Sequence, residues 1–297
     1  MVKVHLIQIF KLMANLHEDF LFFNNALNIP SSKLTQLKTS EANIKRYIKS
    51  YLTEKKVPVP TLIRQGSFAL GTIIRTKTDT CDIDFGVRFF PDPQFAAPTL
   101  QKYIRDALTK VSNSTLPKHK DKCIRLHYKA GYHIDVTIYV HTNFNEPIRL
   151  ATKNGWLDSN PSGFKKWVEE RGGKQAVQLK RLIRYIKAWA SQQGKNMPKG
   201  VALTTLMANG FVPHFRDDLS LLYTLRNVYD NLEEDFCCEM PVVPFDDLLE
   251  RMYEHRYSFL NKLESLINNL EKATHARLGN DKAKALIKGH FGKYFPK

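Results

Sequence analysis

A chain of 297 residues with 43% hydrophobic content is long enough for two lobes sharing a cleft, and no internal repeat or low-complexity stretch asks for more. Forty-five Lys and Arg against 29 Asp and Glu leave a formal charge of +16, which points to an anionic partner: a nucleic acid, a membrane surface, or a triphosphate held in a basic cleft. No stretch approaches the roughly 20 apolar residues of a membrane span, and Cys81, Cys123, Cys237 and Cys238 lack the C-x-x-C spacing of a zinc site, so reduced thiols in a soluble, cytoplasmic protein are expected.

In chain order, the first apolar run at helical spacing covers residues 4–26, with Leu6, Ile9, Phe10, Met13, Leu16, Phe20 and Phe23 on one face. Its start is broken by Lys3, His5, Gln8 and Lys11 and shows no small-residue cleavage pattern, so no leader is expected. After a turn at 28–32, Ser31 or Ser32 can cap a second helix running to about Leu52. Residues 60–66 then read as a strand that stops at Gly66-Ser67. Successive backbone N–H groups in such a turn, with a serine hydroxyl, make a pocket for phosphate oxygens.

The strand predicted over 82–90 carries Asp82 and Asp84 two residues apart. Strand side chains alternate, so both carboxylates share a face while Ile83 and Phe85 point to the other. Carboxylates so close repel unless a cation sits between them, and magnesium, with manganese as the alternative ion, takes oxygen ligands together with substrate phosphates. A helix is predicted near 98–112, and strands at 122–129 and 132–140 form a hairpin about the turn Lys129-Ala-Gly-Tyr132. Asp135 alternates onto one face with His133 and Thr137, and a neighbouring strand would bring it beside the first pair. Three carboxylates can hold two ions, one activating an attacking hydroxyl and one stabilising a pyrophosphate leaving group. A lone D-x-D usually marks a solvated strand face or turn, and a lone Gly-Ser is a weaker signal still; the combination of Gly66-Ser67, Asp82/Asp84 and Asp135 is much rarer and favours the catalytic reading.

After a strand at 147–152 a linker is expected at 155–163, followed by helices at 161–171, 175–193, 199–211, 217–234, 244–271 and 280–290. On the 175–193 helix, Leu179, Leu182, Ile183, Ile186 and Trp189 share a face to be buried. Lys180, Arg184 and Lys187 fall on another, and spacing alone leaves a solvated basic face as open as a phosphate-binding one. Arg75 and Lys77 are read as either phosphate contacts or a basic loop, Arg88 as a partner for a carboxylate, His133 and His141 as structural, and Glu233-Glu-Asp235 as a solvated helix end. Helices, then a mixed sheet, then helices give an α+β class.

The run Gln65-Gly-Ser-Phe-Ala-Leu-Gly-Thr72 followed by Asp82-Ile-Asp-Phe-Gly-Val87 resembles the polymerase β-like nucleotidyltransferase superfamily, and within it the bacterial cGAS/DncV-like nucleotidyltransferases, the cyclic oligonucleotide synthases of anti-phage CBASS systems. The likeness continues through Arg184-Tyr-Ile-Lys187-Ala-Trp189 and Lys199-Gly-Val-Ala-Leu-Thr-Thr-Leu206 and fades to helical character near the C-terminus. It implies a polymerase β-like core (a mixed sheet flanked by helices) in residues 1–155 and a C-terminal helical lobe in 156–297 forming the other wall of the nucleotide cleft. It implies two Mg2+ ions on Asp82, Asp84 and Asp135, donor phosphates at Gln65, Gly66 and Ser67, and a triphosphate contact at Lys187. Lys199 is a second phosphate ligand in this reading. Many relatives carry a serine where this chain has Gly200, so the phosphate contact there falls to Thr204 or is absent.

The implied activity is synthesis of a cyclic di- or oligonucleotide from NTPs, read by a separate effector protein, by a monomer that needs no membrane and binds nucleic acid weakly and non-specifically at most. Two alternatives stand beside it: the same chemistry on an RNA, tRNA, protein or small-molecule acceptor, and a non-catalytic nucleic-acid-binding protein using the +16 charge. Three intact aspartates argue against the last.

Overall fold

The computed structural model describes residues 14–78, 80–111, 114–143, 146–275 and 278–297. It resolves into two compact units. One spans residues 29–165 with Val242–Phe245; the other takes the described residues up to Asn28 together with 166–241 and 246–297.

The first unit is built on one mixed sheet. Its strands are β1 (Thr61–Gln65), β2 (Cys81–Phe89), β3 (Lys118–His119), β4 (Ile124–Tyr128), β5 (Tyr132–Val140), β6 (Arg149–Thr152) and β7 (Gly155–Asp158). The order is β1-β2-β5-β4-β3, with β6 joined to β5 and β7 to β6. β2 and β5 run parallel, and every other pairing is antiparallel. The parallel pair fixes the site: Asp84 lies opposite Asp135, and Asp82 opposite His133.

Alternation divides the sheet into two faces. Ile83, Phe85, Val87, Ile134, Val136, Ile138, Ile124 and Leu126 are all buried and pack with Ile44, Ile48 and Leu52 of the Ser31–Glu54 helix. Leu100, Ile104 and Leu108 of the Ala97–Leu108 helix join the same cluster. Burying each such side chain contributes about 1.5–3 kcal/mol. The opposite face of β2, β4 and β5 carries the polar set of aspartates, histidines, Arg125 and Thr137, held rigid from below.

The second unit is helical. Its core gathers Phe20, Phe23, Tyr185, Phe291 and Phe295, with Phe20 5.0 Å from Tyr185 and 5.2 Å from Phe295 between ring centroids. The Ala176–Gln192 helix runs through it. Beneath that helix Asp217 is fully buried and accepts bonds from Arg181 Nε (2.6 Å), Gln178 Nε2 (2.9 Å) and the Tyr185 hydroxyl (2.9 Å). Burial pushes the Asp217 carboxyl up, but these donors outweigh it and hold it below the ordinary carboxylate range.

Several expectations change. The helix expected over 4–26 is described from His17 to Ala26, and its residues 4–13 lie outside the described residues. Residues 155–158, expected as linker, form β7: the two-residue loop Lys153-Asn154 turns the chain back, and Gly155, at φ 131°, pairs with Thr152. The helix expected from 244 starts as a 3-10 turn at Glu250–His255 and becomes α-helical at Arg256–His275. Asp247 Oδ1 accepts from the N–H groups of Cys238 and Leu249, both at 2.9 Å, which holds the preceding stretch as a loop. Gly66 is not the end of a strand but the first residue of a single helical turn, Gly66–Leu70.

Candidate active site

Counting across the polar face of the sheet gives rows of facing residues. One row holds Asp82, His133 and His127; the next holds Asp84, Asp135 and Arg125. The three aspartates expected to act together therefore lie on one face of adjacent strands. Asp82 is the most open, its side chain 64% exposed, and its Oδ1 lies 2.6 Å from His133 Nε2. Asp135 is 16% exposed and is gripped by Arg125, Nε to Oδ1 at 2.6 Å and a terminal nitrogen to Oδ2 at 2.5 Å. Arg125 is held more firmly protonated than usual, chiefly by that hydrogen bond.

Beside them Cys123 stays a thiol: burial first, and then the Asp135 charge, push it up to about 12. His127 is shifted downward by burial and by the neighbouring His133, so it favours the neutral imidazole.

The Gly66 turn approaches this row closely. Gly66 takes φ 57°, and a Cβ built there would overlap the Asp84 carboxylate, with Cγ at 3.0 Å. Only glycine lets the backbone of the turn come this close to that aspartate. Ser67 is half-buried in the same turn, which closes through Gly71 at φ 75° and a Thr72 N–H to Ser67 carbonyl bond of 2.9 Å.

Gln65 is buried, and its Oε1 accepts from Thr137 Oγ1 at 3.0 Å and from the Tyr139 hydroxyl at 3.1 Å. It crosses β2 above Gly86 and ties β1 to β5, so it supports the site from within the sheet where a phosphate contact was expected. Its Nε2 has no hydrogen-bond partner among the described residues.

The donor set suits a magnesium ion in kind: carboxylates only, next to a turn with room for no Cβ. Among the described residues, however, no group of three or more His, Cys, Asp and Glu side chains is arranged to hold a metal ion. The carboxylates are neighbours in register, but Asp135 is turned to Arg125 and Asp82 to His133.

In the helical unit, Lys187 reaches the start of the Gly200–Asn209 helix, whose preceding residue is Lys199. A Cβ at Gly200 would stand 3.5 Å from Lys187 Cε and 4.0 Å from Nζ. The Lys187 ammonium thus lies beside a helix N-terminus, an arrangement in which backbone N–H groups and the helix dipole favour negative charge. Thr204 does not complete it: its hydroxyl is buried and donates to the Gly200 carbonyl at 2.7 Å.

The basic stripe expected on this helix is not uniform. Arg184 is buried on Asn24 Oδ1 (2.6 Å) and Asn28 Oδ1 (2.8 Å), and burial lowers its proton affinity. Lys180 pairs with Glu169 at 3.2 Å. Arg75 and Lys77 lie in the loop between the Gly66 turn and β2. Arg88 shares the face of Asp82 and Asp84, and its Nε has no partner among the described residues. His133 bonds an aspartate, and His141 is buried at the end of β5. Sequence reasoning missed Arg125, although counting outward from the hairpin turn places it opposite Asp135.

The chain resembles known proteins in sequence and in fold. Residues 60–139 match the family model described as Cyclic GMP-AMP synthase DncV-like, nucleotidyltransferase domain. The chain is 28% identical over 193 residues to a Cyclic GMP-AMP synthase of Escherichia albertii, a match covering 60% of this chain and only 43% of that protein's length. It is 24% identical over 281 residues to a c-di-GMP synthase of Roseivirga ehrenbergii, covering 77% of this chain and 71% of the relative.

Among solved structures, Vibrio cholerae DncV cyclic AMP-GMP synthase with the linear intermediate 5′ pppA(3′,5′)pG aligns at TM-score 0.81 and 18% identity, over 96% of this chain and 97% of that one. The Bradyrhizobium diazoefficiens CD-NTase CdnG in complex with GTP aligns at 0.74 and 18%, over 93% and 95%. These likenesses are of fold, and they agree with the mixed α+β class and polymerase β-like core expected from the motifs. Residues 60–139, the stretch that matches the DncV-like nucleotidyltransferase model, hold the Gly66-Ser67 turn and all three aspartates.

Proposed function

We propose that this protein is a nucleotidyltransferase that joins nucleoside triphosphates into a cyclic di- or oligonucleotide with release of pyrophosphate. The observation that carries the reading is the parallel register of β2 and β5, which sets Asp84 opposite Asp135 with Asp82 on the same face and the Gly66 turn against Asp84. The Escherichia albertii and Roseivirga ehrenbergii relatives are named as synthases of cyclic dinucleotides, which supports the product class.

In this reading Asp82, Asp84 and Asp135 hold two magnesium ions, which when bound neutralise phosphate charge and acidify the attacking ribose hydroxyl. Gly66 and Ser67 orient the donor phosphates through backbone N–H groups and a hydroxyl. Lys187 and Lys199 add positive charge at the triphosphate. Catalysis is then positioning and charge neutralisation rather than covalent chemistry by the protein. The reading extends to a cytoplasmic monomer whose product acts on a separate effector in anti-phage CBASS defence.

The test is incubation of purified protein with the four NTPs and magnesium, without polymer. Low-molecular-weight, phosphatase-resistant products identified by mass spectrometry support it. Turnover only with an added acceptor, or none at all, refutes it.

A further inference from the structure

We propose that Arg125 is a built-in counter-ion that Asp135 must release before a divalent ion can load, so that Arg125 sets how much ion the site requires. The inference rests on the reading that Asp82, Asp84 and Asp135 are the ion's ligands.

Geometry carries it. Arg125 stands directly opposite Asp135 on β4, and its fork takes both carboxylate oxygens, at 2.6 and 2.5 Å. A planar guanidinium so placed fills the side of the carboxylate that faces the neighbouring strand. One row along, His133 Nε2 takes Asp82 Oδ1 at 2.6 Å. With both contacts in place, no group of three or more His, Cys, Asp and Glu side chains among the described residues is arranged to hold a metal ion. Asp135 is turned along its row to Arg125, and Asp82 along its row to His133.

The arrangement has a clear electrostatic logic. Adjacent carboxylates on neighbouring strands repel, and a fixed guanidinium relieves that repulsion when no divalent ion is bound. A divalent ion does the same task with twice the charge, and it repels the guanidinium that was there before. The two cations compete for Asp135, so ion binding and the Arg125 fork are linked, each weakening the other by the same factor. The fork thus opposes loading of the site at low ion concentration. It also leaves, after loading, a released cation on the same strand face.

The experiment titrates Mn2+ into the full chain without nucleotide and counts free ion by electron paramagnetic resonance. The proposal expects Arg125→Gln to reach half-saturation at an ion concentration at least threefold below wild type. An unchanged or higher half-saturation overturns it. Should Arg125→Gln not fold, the wild-type protein decides: the side-chain Nε–H resonance of Arg125 must shift or broaden when Mg2+ is added, and a resonance unmoved at saturating ion overturns the proposal. The ligand reading is separated by Asp82→Asn with Asp84→Asn. Loss of Mn2+ binding there upholds the ligands whatever Arg125 does, whereas Mn2+ binding equal to wild type removes the ligands and this inference together.

Discussion

Replacing Gly66 by alanine separates two costs that the structure places at one residue. The first is conformational: Gly66 sits at φ 57°, where a residue with a Cβ loses about 1–2 kcal/mol. The second is local: the new Cβ would overlap the Asp84 carboxylate, so that aspartate must swing away from the row it shares with Asp135. Gly71 supplies the control. It stands at φ 75° five residues on in the same turn, and a Cβ there meets nothing within 4 Å. Gly71→Ala should therefore carry the conformational cost alone, and both variants should melt lower by some 2–4 °C per kcal/mol lost. Only Gly66→Ala should also lose turnover, by at least about tenfold, which corresponds to about 1.4 kcal/mol of transition-state stabilisation. The assay is initial rate of pyrophosphate release from NTPs beside a thermal melt for each protein. Equal rates in the two variants would refute the claim that Gly66 is needed for closeness to Asp84.

Four other outcomes are expected. Asp82→Asn with Asp84→Asn should abolish pyrophosphate release while far-UV circular dichroism stays native, and calcium in place of magnesium should permit nucleotide binding but slow or stop turnover because it prefers longer bonds. Lys187→Ala should weaken NTP binding measured by calorimetry, and Lys180→Ala, already paired with Glu169, should weaken it less; equal effects would remove Lys187 from the phosphate site. Asp217 is held below its unfolded value, so it contributes stability at neutral pH that is lost as pH falls below about 4 and through the lower folded value. Melting curves of wild type should therefore fall more steeply in that acid range than those of Asp217→Asn, and parallel curves would contradict this. Finally, nuclease treatment should leave product formation from NTPs intact, and DNA binding should be weak and fall steeply with salt; a rate that collapses and returns with duplex DNA or RNA would make the basic surface a sensor.

What could be read from the residues was whatever depends on near neighbours. Period-two alternation placed Asp82 with Asp84 and Asp135 with His133, because the side chain's face follows from position along one strand. The glycine and hydroxyl marked the turn at Gly66-Ser67. Register was another matter: that Asp84 faces Asp135 depends on how far β2 slides along β5, and no local signal fixes that. Arg184 looked like a surface cation because its two asparagine partners, Asn24 and Asn28, come from a distant helix end. The strand at Gly155–Asp158 was mistaken for linker because it is only four residues long and runs straight into the polar Ser159-Asn-Pro-Ser-Gly163. Gln65 was read as a ligand from its motif, whereas its burial arises from Thr137 and Tyr139, two strands away.

The parallel pairing of β2 with β5 also governs when the site can come into being. Parallel neighbours cannot be joined by a tight turn, so the chain between them must first lay down the Ala97–Leu108 helix and the β4 hairpin. Contacts of such long sequence separation close late in folding, after local ones have reduced the entropy they cost. A nascent chain that has left the ribosome only as far as Asp84 thus possesses the Gly66 turn and two carboxylates but no third. The third aspartate, Asp135, arrives on the strand that completes the middle of the sheet. Assembly of the aspartate row therefore coincides with completion of the sheet's centre, and a truncated chain lacking β5 would hold Asp82 and Asp84 on a strand with no parallel neighbour.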